Sequence, residues 1–249
     1  MDTRFWGPSG WKILHLITFA YNPSTDKENM KKFLTVLPYT LPCKFCRSSL
    51  ITYYEELPFE LESTKDLSTW MYKIHGKVNN KLRSQGQTIP KDPSYSLVKK
   101  IYTERLHYGC TQTEFPGWEF LFSIIENQIN DKTSTPLPDA PPLNSIEPSD
   151  HKTLLRWNYL DPTIRNDYIC DFWTVLPKVL PFKEWRDVWS THDGELCSTK
   201  KSLWKIRCSI ERELDLVNKT KFNDLCTTLK NHRSGCSKSR NARTCRKKR

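Results

Sequence analysis

The sequence predicts an all-α protein, with a four-helix bundle and a short fifth helix in residues 1–108 followed by a helix-rich C-terminal accessory domain. Apolar residues recur at three- and four-residue steps along most of the chain, and the alternation typical of β-strands is scarce. Five prolines between Asp131 and Asp150 interrupt the helical pattern. At 249 residues with 12% aromatic side chains, the chain can build two hydrophobic cores.

The first two helices are predicted from apolar spacing and from prolines. A helix over 9–21 carries four residues on one face, and Asn22-Pro23-Ser24 ends it. These four residues are Trp11, Leu14, His15 and Thr18. A second helix is predicted over 27–37, and Pro38 and Pro42 are expected to close a short connection.

Three further helices complete the N-terminal bundle. Proline is favoured at a helix start, so Pro42 places Cys43 in the first turn of a helix that runs to about Tyr54. A fourth helix over 65–83 has an apolar stripe formed by Trp70, Ile74, Val78 and Leu82. A shorter fifth helix is indicated by Tyr95, Val98, Tyr102 and Leu106.

The rest of the chain divides into three parts. Residues 109–150 are predicted to hold one helix, over 118–129, and a proline-rich linker. Residues 151–229 form the accessory domain, which carries five tryptophans. Most of these are expected in the core, although with nearby lysines and arginines they would also suit a binding surface for a substrate, a partner or nucleic acid.

The net charge of +11 is concentrated in a basic flexible tail, residues 230–249. From Lys230 to Arg249 there are nine lysines or arginines and no acid, whereas residues 1–229 are nearly neutral. Such a tail serves solubility or attracts nucleic acid and anionic surfaces. The sequence predicts no transmembrane segment and no signal peptide, so we expect a location in the cytoplasm, or in a virion if the protein is viral.

A CxxC motif, Cys43 and Cys46, is the strongest functional signal. Two cysteines three apart at a helix start form either a reversible disulfide or half of a metal site, here a zinc site completed by His15 and His75. A thioredoxin-like centre is disfavoured because no strand precedes the motif. Cytosolic thiols are normally kept reduced, so nine cysteines in a chain without a signal peptide indicate catalytic, metal-bound or partly free cysteines. Side chains offer no two-electron acceptor, so turnover needs a flavin or a second thiol protein.

Three ordered elements resemble the Erv/ALR-type FAD-linked sulfhydryl oxidases. They are Trp11 with His15 (WxxxH), then Cys43 and Cys46, and then the pattern of Trp70, His75, Val78, Asn79 and Leu82. The resemblance covers residues 1–108, and the two-domain layout is similar to that of a virus-encoded member. It implies that FAD packs against the CxxC inside a helical bundle.

The resemblance also implies roles for individual residues. Cys46 would be the cysteine beside the flavin, and Cys43 the outer cysteine that exchanges with substrate. Residues implied to contact FAD are Gly7, Trp11, His15, His75, Val78, Asn79, Lys81 and Leu82, and no metal is implied. The implied reaction oxidises a dithiol with O2 to a disulfide and H2O2. Implied partners are thiol-containing protein substrates, a disulfide-carrier protein and a second copy in a homodimer.

Three positions depart from the family pattern. Gly76 stands where the family usually has asparagine, Arg83-Ser84 replaces a frequent Gly-Lys, and Pro8 stands where cellular members often have arginine. These differences affect single FAD contacts. The alternative to an oxidase is a non-enzymatic helical adaptor that binds zinc or a partner.

One segment of the chain repeats. Residues 33–47 align without gaps to residues 172–186 with nine identities in fifteen positions, and Phe182 and Trp185 replace the two cysteines. A decayed duplication and chance similarity are both open interpretations, because the sequence shows no second WxxxH or HxxVN element.

The other cysteines are harder to assign. Cys236 and Cys245 lie in the basic tail, where they are either free thiols or a shuttle pair that passes electrons to Cys43. An odd total of nine cysteines leaves at least one without an intrachain disulfide partner.

Overall fold

The structure is a computed structural model that describes residues 1–109, 115–131, 162–192, 199–216 and 220–233. These described residues form ten α-helices and no β-strand, which confirms the all-α prediction. The helices are α1 (Thr3–Ala20), α2 (Pro23–Thr40), α3 (Lys44–Glu56), α4 (Thr64–Ser84), α5 (Tyr95–Tyr108), α6 (Trp118–Asp131), α7 (Pro162–Val179), α8 (Lys183–Ser190), α9 (Lys200–Glu213) and α10 (Phe222–Asn231).

The first helix begins six residues earlier than the prediction of 9–21. Asp2 caps it, since its carboxylate accepts a hydrogen bond from the Arg4 backbone N–H at 2.9 Å. Burial of Trp6 adds an apolar contact in the first turns. Pro8 lies inside the helix, where its ring removes one intrahelical hydrogen bond without ending the helix.

The prediction that Pro38 ends the second helix is wrong. Asn22 caps α2 through its side chain, Pro23 occupies the first position, and the helix continues through Pro38 to Thr40. Leu37 and Thr40 on the last turn are buried, so tertiary packing compensates for the missing N–H of the proline. The connection to α3 is therefore shorter than predicted.

One continuous hydrophobic core joins the helices. α1 packs against α4, α5 and α6, while α2 packs against α3 and along the length of α7. α6 also contacts α9 and α10, so the helix that the sequence placed before the proline-rich linker packs with elements on both sides of it. The division into domains at 108 and 151 stays a prediction.

Gly109 ends α5 with a φ of +76°, a conformation in which glycine avoids the strain of other residues. Within the described ranges, no helix is long and apolar enough to cross a membrane.

Candidate active site

The CxxC lies at the start of α3. Cys43 is the N-cap residue, one position before the helix, and Cys46 lies in the first turn, where its backbone N–H donates to the Cys43 carbonyl at 3.1 Å. The sequence placed Cys43 one residue further into the helix. Cys43 is only 1% exposed and is disulfide-bonded, whereas Cys46 is partly exposed and carries a thiol. The bond of Cys43 is therefore made to a cysteine other than Cys46.

A cavity of about 570 Å³ opens between α1, α3 and α4, and Cys46 lies on its wall. This volume is in the range of small-molecule and cofactor pockets. The wall is mostly apolar and aromatic, and Cys43 is not part of it. The two sulfurs of the motif therefore face different surroundings.

Trp11 and His75 form one wall of this cavity, and His15 lies behind them. The Trp11 and His75 rings stack with centroids 4.0 Å apart and planes 9° apart. Behind them, His15 Nε2 lies 3.1 Å from His75 Nδ1, and the His15 ring stacks on Tyr102. Burial lowers the pKa of His15 to about 3, with the nearby His75 adding to the effect, and burial lowers the pKa of His75 to about 4. Both imidazoles are therefore uncharged at neutral pH.

A lysine from α4 reaches the cysteine wall. Lys81 donates a hydrogen bond to the Ser49 hydroxyl, one turn of α3 beyond Cys46. Burial lowers the pKa of Lys81, and the electrostatic interaction with the Cys46 thiolate acts to raise it. The Lys81 ammonium group therefore lies close enough to interact with the charge of the Cys46 sulfur.

The far end of α4 is held by a charged network. Asn79 donates to the Asp92 carboxylate at 2.7 Å, and Arg83 forms an ion pair with Asp92 at 2.7 Å. The hydrogen bond from Arg83 is the largest cause that lowers the pKa of Asp92, so the carboxylate is ionised at neutral pH. The network fixes the turn of α4 that carries Asn79 and Lys81.

The structure brings almost all of the predicted FAD contacts to this one cavity. Gly7, Trp11, His75, Val78, Asn79, Lys81 and Leu82 line it, and His15 lies behind His75. Sequence reasoning missed Tyr54, whose buried hydroxyl has no hydrogen-bond partner among the described residues, and it took Tyr102 for an apolar position of α5. Their aromatic character was visible in the sequence, but their direction depends on the packing of α3 and α5.

The zinc alternative has little support in the geometry. Within the part of the chain that the structure describes, no group of histidine, cysteine or acidic side chains is arranged to hold a metal ion. Cys43 is in a disulfide, and the His15 and His75 rings face each other.

The remaining sequence candidates have different outcomes. Trp173, Trp185 and Trp189 are buried in the core, and Arg207 lies over the ring of Trp204 with an ion pair to Glu211. The shuttle candidates Cys236 and Cys245 lie outside the described residues, as does Trp157.

Comparison with known proteins supplies the identification. The model of the Erv1/Alr family matches residues 8–102, the part of the chain that supplies most of the cavity lining. A FAD-linked sulfhydryl oxidase of African swine fever virus (isolate Warthog/Namibia/Wart80/1980) is 31% identical over 124 residues, which cover 47% of this chain and 98% of the viral protein. The chain belongs to the Erv1/Alr family.

Two further relatives of this Erv1/Alr protein come from yeast and from a second virus isolate. The mitochondrial FAD-linked sulfhydryl oxidase ERV1 of Saccharomyces cerevisiae is 35% identical over 85 residues, or 33% of this chain and 45% of the yeast protein. A second viral oxidase, from isolate Pig/Kenya/KEN-50/1950, is 30% identical over 124 residues. No solved structure matches the chain. Family membership confirms the predicted enzyme class, FAD-linked sulfhydryl oxidase, and FAD as its cofactor.

Proposed function

We propose that this protein forms disulfides in dithiol substrates and passes two electrons from Cys43 and Cys46 to FAD and then to O2, giving H2O2. The observation that carries the proposal is the asymmetry of the CxxC. Cys46 faces the cavity, and Cys43 lies outside it in a disulfide with another cysteine. One sulfur is thus placed to reduce a bound cofactor, and the other to exchange disulfides.

The residues of the cavity fit FAD. The stacked Trp11 and His75 rings offer a flat aromatic surface to a planar ring system, and both histidines are uncharged. Lys81 is a cation suited to a phosphate or to a negatively charged flavin. The buried Tyr54 hydroxyl is a hydrogen-bonding group for which the described protein supplies no partner.

The chemistry of one turnover follows from the two sulfurs. A substrate thiolate attacks Cys43 of the Cys43–Cys46 disulfide, and Cys46 leaves as a thiolate. The second substrate thiol then displaces Cys43, so the substrate becomes a disulfide and both cysteines are reduced. FAD, when bound, accepts the two electrons of this dithiol and transfers them to O2. Lys81 stabilises the negative charge on Cys46 and so favours this direction.

We also propose that the C-terminal tail brings Cys236 and Cys245 to Cys43 as a shuttle. The described chain ends at Arg233 close to the start of α1: the His232 carbonyl accepts from the Asp2 N–H at 2.9 Å, and the His232 and Phe5 rings stack. The N-terminal ammonium donates to the Pro42 carbonyl, next to Cys43. Cys236 follows Arg233 by three residues in the sequence, and three residues span at most about 10 Å.

The proposed partners are protein dithiols, which donate electrons directly or through a disulfide-carrier protein, with O2 as the acceptor. The African swine fever virus relatives support a viral origin, so we propose that the protein acts in the host cytoplasm or in the virion. The homodimer predicted from the resemblance is not tested by a single chain. Nucleic-acid binding by the basic tail has only its charge in support.

The test is spectroscopic and kinetic. The purified protein should show the visible absorbance of bound flavin, and it should consume O2 when dithiothreitol is added. Cys46→Ala should retain the flavin and lose O2 consumption, while Ser48→Ala, a matched change two residues on, should retain both. A colourless protein, or full turnover by Cys46→Ala, would contradict the proposal.

A further inference from the structure

The ten described helices fall into two sets of five with the same order and three corresponding contacts, although α8 also packs on α9 and the equivalent helices α3 and α4 do not pack in this way. In the first set, α1 packs on α4 and α5, and α2 packs on α3. In the second set, α6 packs on α9 and α10, and α7 packs on α8. The bounds of α7 are those of α2 shifted by 139 positions, from Pro23 to Pro162 and from Thr40 to Val179. The same shift moves the start of α3 onto the start of α8, from Lys44 to Lys183.

Burial follows this shift residue by residue. Between positions 26–40 and 165–179, the buried, partly buried or exposed state agrees at 13 of 15 positions. Both helices also contain a buried proline two residues before their last residue and continue past it, Pro38 in α2 and Pro177 in α7. A chance similarity in a short leucine- and proline-rich segment does not require the two segments to share their burial.

Hydrogen bonds outside the regular helix pattern are repeated as well. Arg47 donates to the Leu41 carbonyl at 2.6 Å, and its counterpart Arg186 donates to the Leu180 carbonyl at 2.6 Å. Each arginine thus closes the turn that holds the CxxC in the first copy and the Phe182/Trp185 pair in the second. The N-cap residues Cys43 and Phe182 are both extended, and neither has a side-chain capping bond.

The contact between the two sets has the signature of a two-fold axis. In an isologous dimer, residues on the axis touch their own counterparts. Phe33 stacks on Phe172, its counterpart under the 139-residue shift, and Lys32 forms an ion pair at 2.7 Å with its counterpart Asp171. Both pairs lie between α2 and α7.

The same symmetry relates α1 and α6. A Cβ atom on Gly10 would lie 3.2 Å from Phe120, and a Cβ atom on Gly117 would lie 3.3 Å from Ile13. Aligning the Gly-Trp pair that precedes each apolar run makes Gly117 the counterpart of Gly10, and Phe120 the counterpart of Ile13. The contact of Gly10 with Phe120 is therefore equivalent, under the two-fold symmetry, to the contact of Gly117 with Ile13. The sequence alone did not reveal this pair of contacts.

Aromatic side chains fill the second set where the first has its cavity. Trp185, the counterpart of Cys46, and Trp189, the counterpart of Leu50 on the cavity wall, are both fully buried. The ring of Phe115 lies 4.7 Å from that of Trp185 and 4.2 Å from that of Trp118, the counterpart of Trp11. The position of the flavin-facing sulfur is thus occupied by an indole.

We propose that α6–α10 are a degenerate second copy of the flavin-binding bundle, docked on the first copy as its internal partner subunit. The copy supplies an isologous interface through α2 and α7 and binds no flavin. The chain therefore carries one FAD and has no need of a second chain on its α2 face. The flavin count rests on the proposed function, whereas the oligomeric state does not.

The first experiment uses the 249-residue chain. Sedimentation velocity over a wide concentration range should give the 29.4 kDa of one chain, and extracted flavin should equal one per chain. A homodimer, or two flavins per chain, would overturn the proposal. Absence of flavin from a monomer would instead contradict the proposed function and leave the internal dimer supported.

A second experiment tests the axis itself. The Lys32–Asp171 pair is about half exposed on both sides, so its substitution leaves folding intact. Lys32→Asp should speed hydrogen exchange in α2 and α7 by up to about fivefold, because two carboxylates then face each other, and adding Asp171→Lys should restore the wild-type rate. Lys178→Asp, an exposed change on α7, should leave the exchange of α2 unaltered. If the swap fails to restore protection, the two residues do not meet and the symmetric interface is wrong.

Discussion

Alanine substitutions at position 46 and at its counterpart, position 185, should have opposite effects on activity and stability. We predict that Trp185→Ala destabilises the protein without abolishing oxidase activity, whereas Cys46→Ala abolishes activity with little loss of stability. Trp185 is fully buried against Phe115 and Phe182. Cys46 is partly exposed at the cavity and is the residue proposed to pass electrons to the flavin.

The size of the Trp185 effect follows from its surroundings. Truncation of a buried tryptophan costs about 3–5 kcal/mol through lost transfer energy and the remaining cavity. Its buried Nε1 has no hydrogen-bond partner among the described residues, so its removal returns about 1 kcal/mol. A net loss of about 3 kcal/mol corresponds to a Tm lower by about 6–12 °C for a chain of this size.

The assay is thermal unfolding followed by circular dichroism, together with O2 consumption below the Tm. Trp204→Ala is the matched control, because Trp204 is only partly buried and should lower the Tm by less than half as much. A Trp185→Ala protein with the wild-type Tm would refute the packing argument. Loss of bound flavin from a folded Trp185→Ala protein would refute the confinement of FAD to the first copy.

Three further predictions concern two charged side chains and one aromatic stack. Glu126→Gln should lower the free energy of unfolding by about 2 kcal/mol at pH 7. This loss is smaller than for breaking a fully buried ion pair, because the side chains of Lys200 and Arg233 are 22% and 41% exposed. Burial acts to raise the pKa of Glu126, but its hydrogen bonds with Lys200 and Arg233 lower the pKa overall. The ion pairs therefore stabilise the folded protein fully at a pH above the ordinary glutamate pKa. This stabilisation is lost as the pH falls through the lower pKa of the folded state. The free energies of unfolding of the two proteins in urea should therefore converge as the pH falls below the ordinary glutamate pKa, and a difference that stays constant with pH would contradict this. Lys81→Met should slow anaerobic flavin reduction by dithiothreitol by roughly tenfold or more, with Lys77→Met as the control. His75→Leu should lower FAD affinity by about tenfold in fluorescence titration through loss of the Trp11 stack, and unchanged affinity would argue against that wall as the flavin site.

The sequence predicted most of the catalytic bundle because its helices are strongly amphipathic and their ends carry ordinary caps. The errors occurred where tertiary contacts compensate for a local signal. Pro38 lies in a helix because the turn around it is buried, and α1 starts at Thr3 because Asp2 caps it. Such compensation depends on partners that are distant in sequence.

The candidate site was predictable to a similar degree. Seven of the eight residues expected around FAD line the cavity, since their spacing on α1 and α4 places them on one face. Tyr54 and Tyr102 were missed because their roles depend on how α3 and α5 are rotated against the bundle. The Gly10 and Gly117 contacts were also missed, because a Gly-Trp pair before an apolar run is not distinctive until the two helices are seen to pack.

Anaerobic stopped-flow reduction of bound flavin with dithiothreitol shows whether electrons reach the flavin only through Cys46. The wild-type flavin should bleach rapidly, and Cys46→Ser, with FAD still bound, should stay oxidised over the same time. Bleaching of the Cys46→Ser flavin at the wild-type rate would contradict the account.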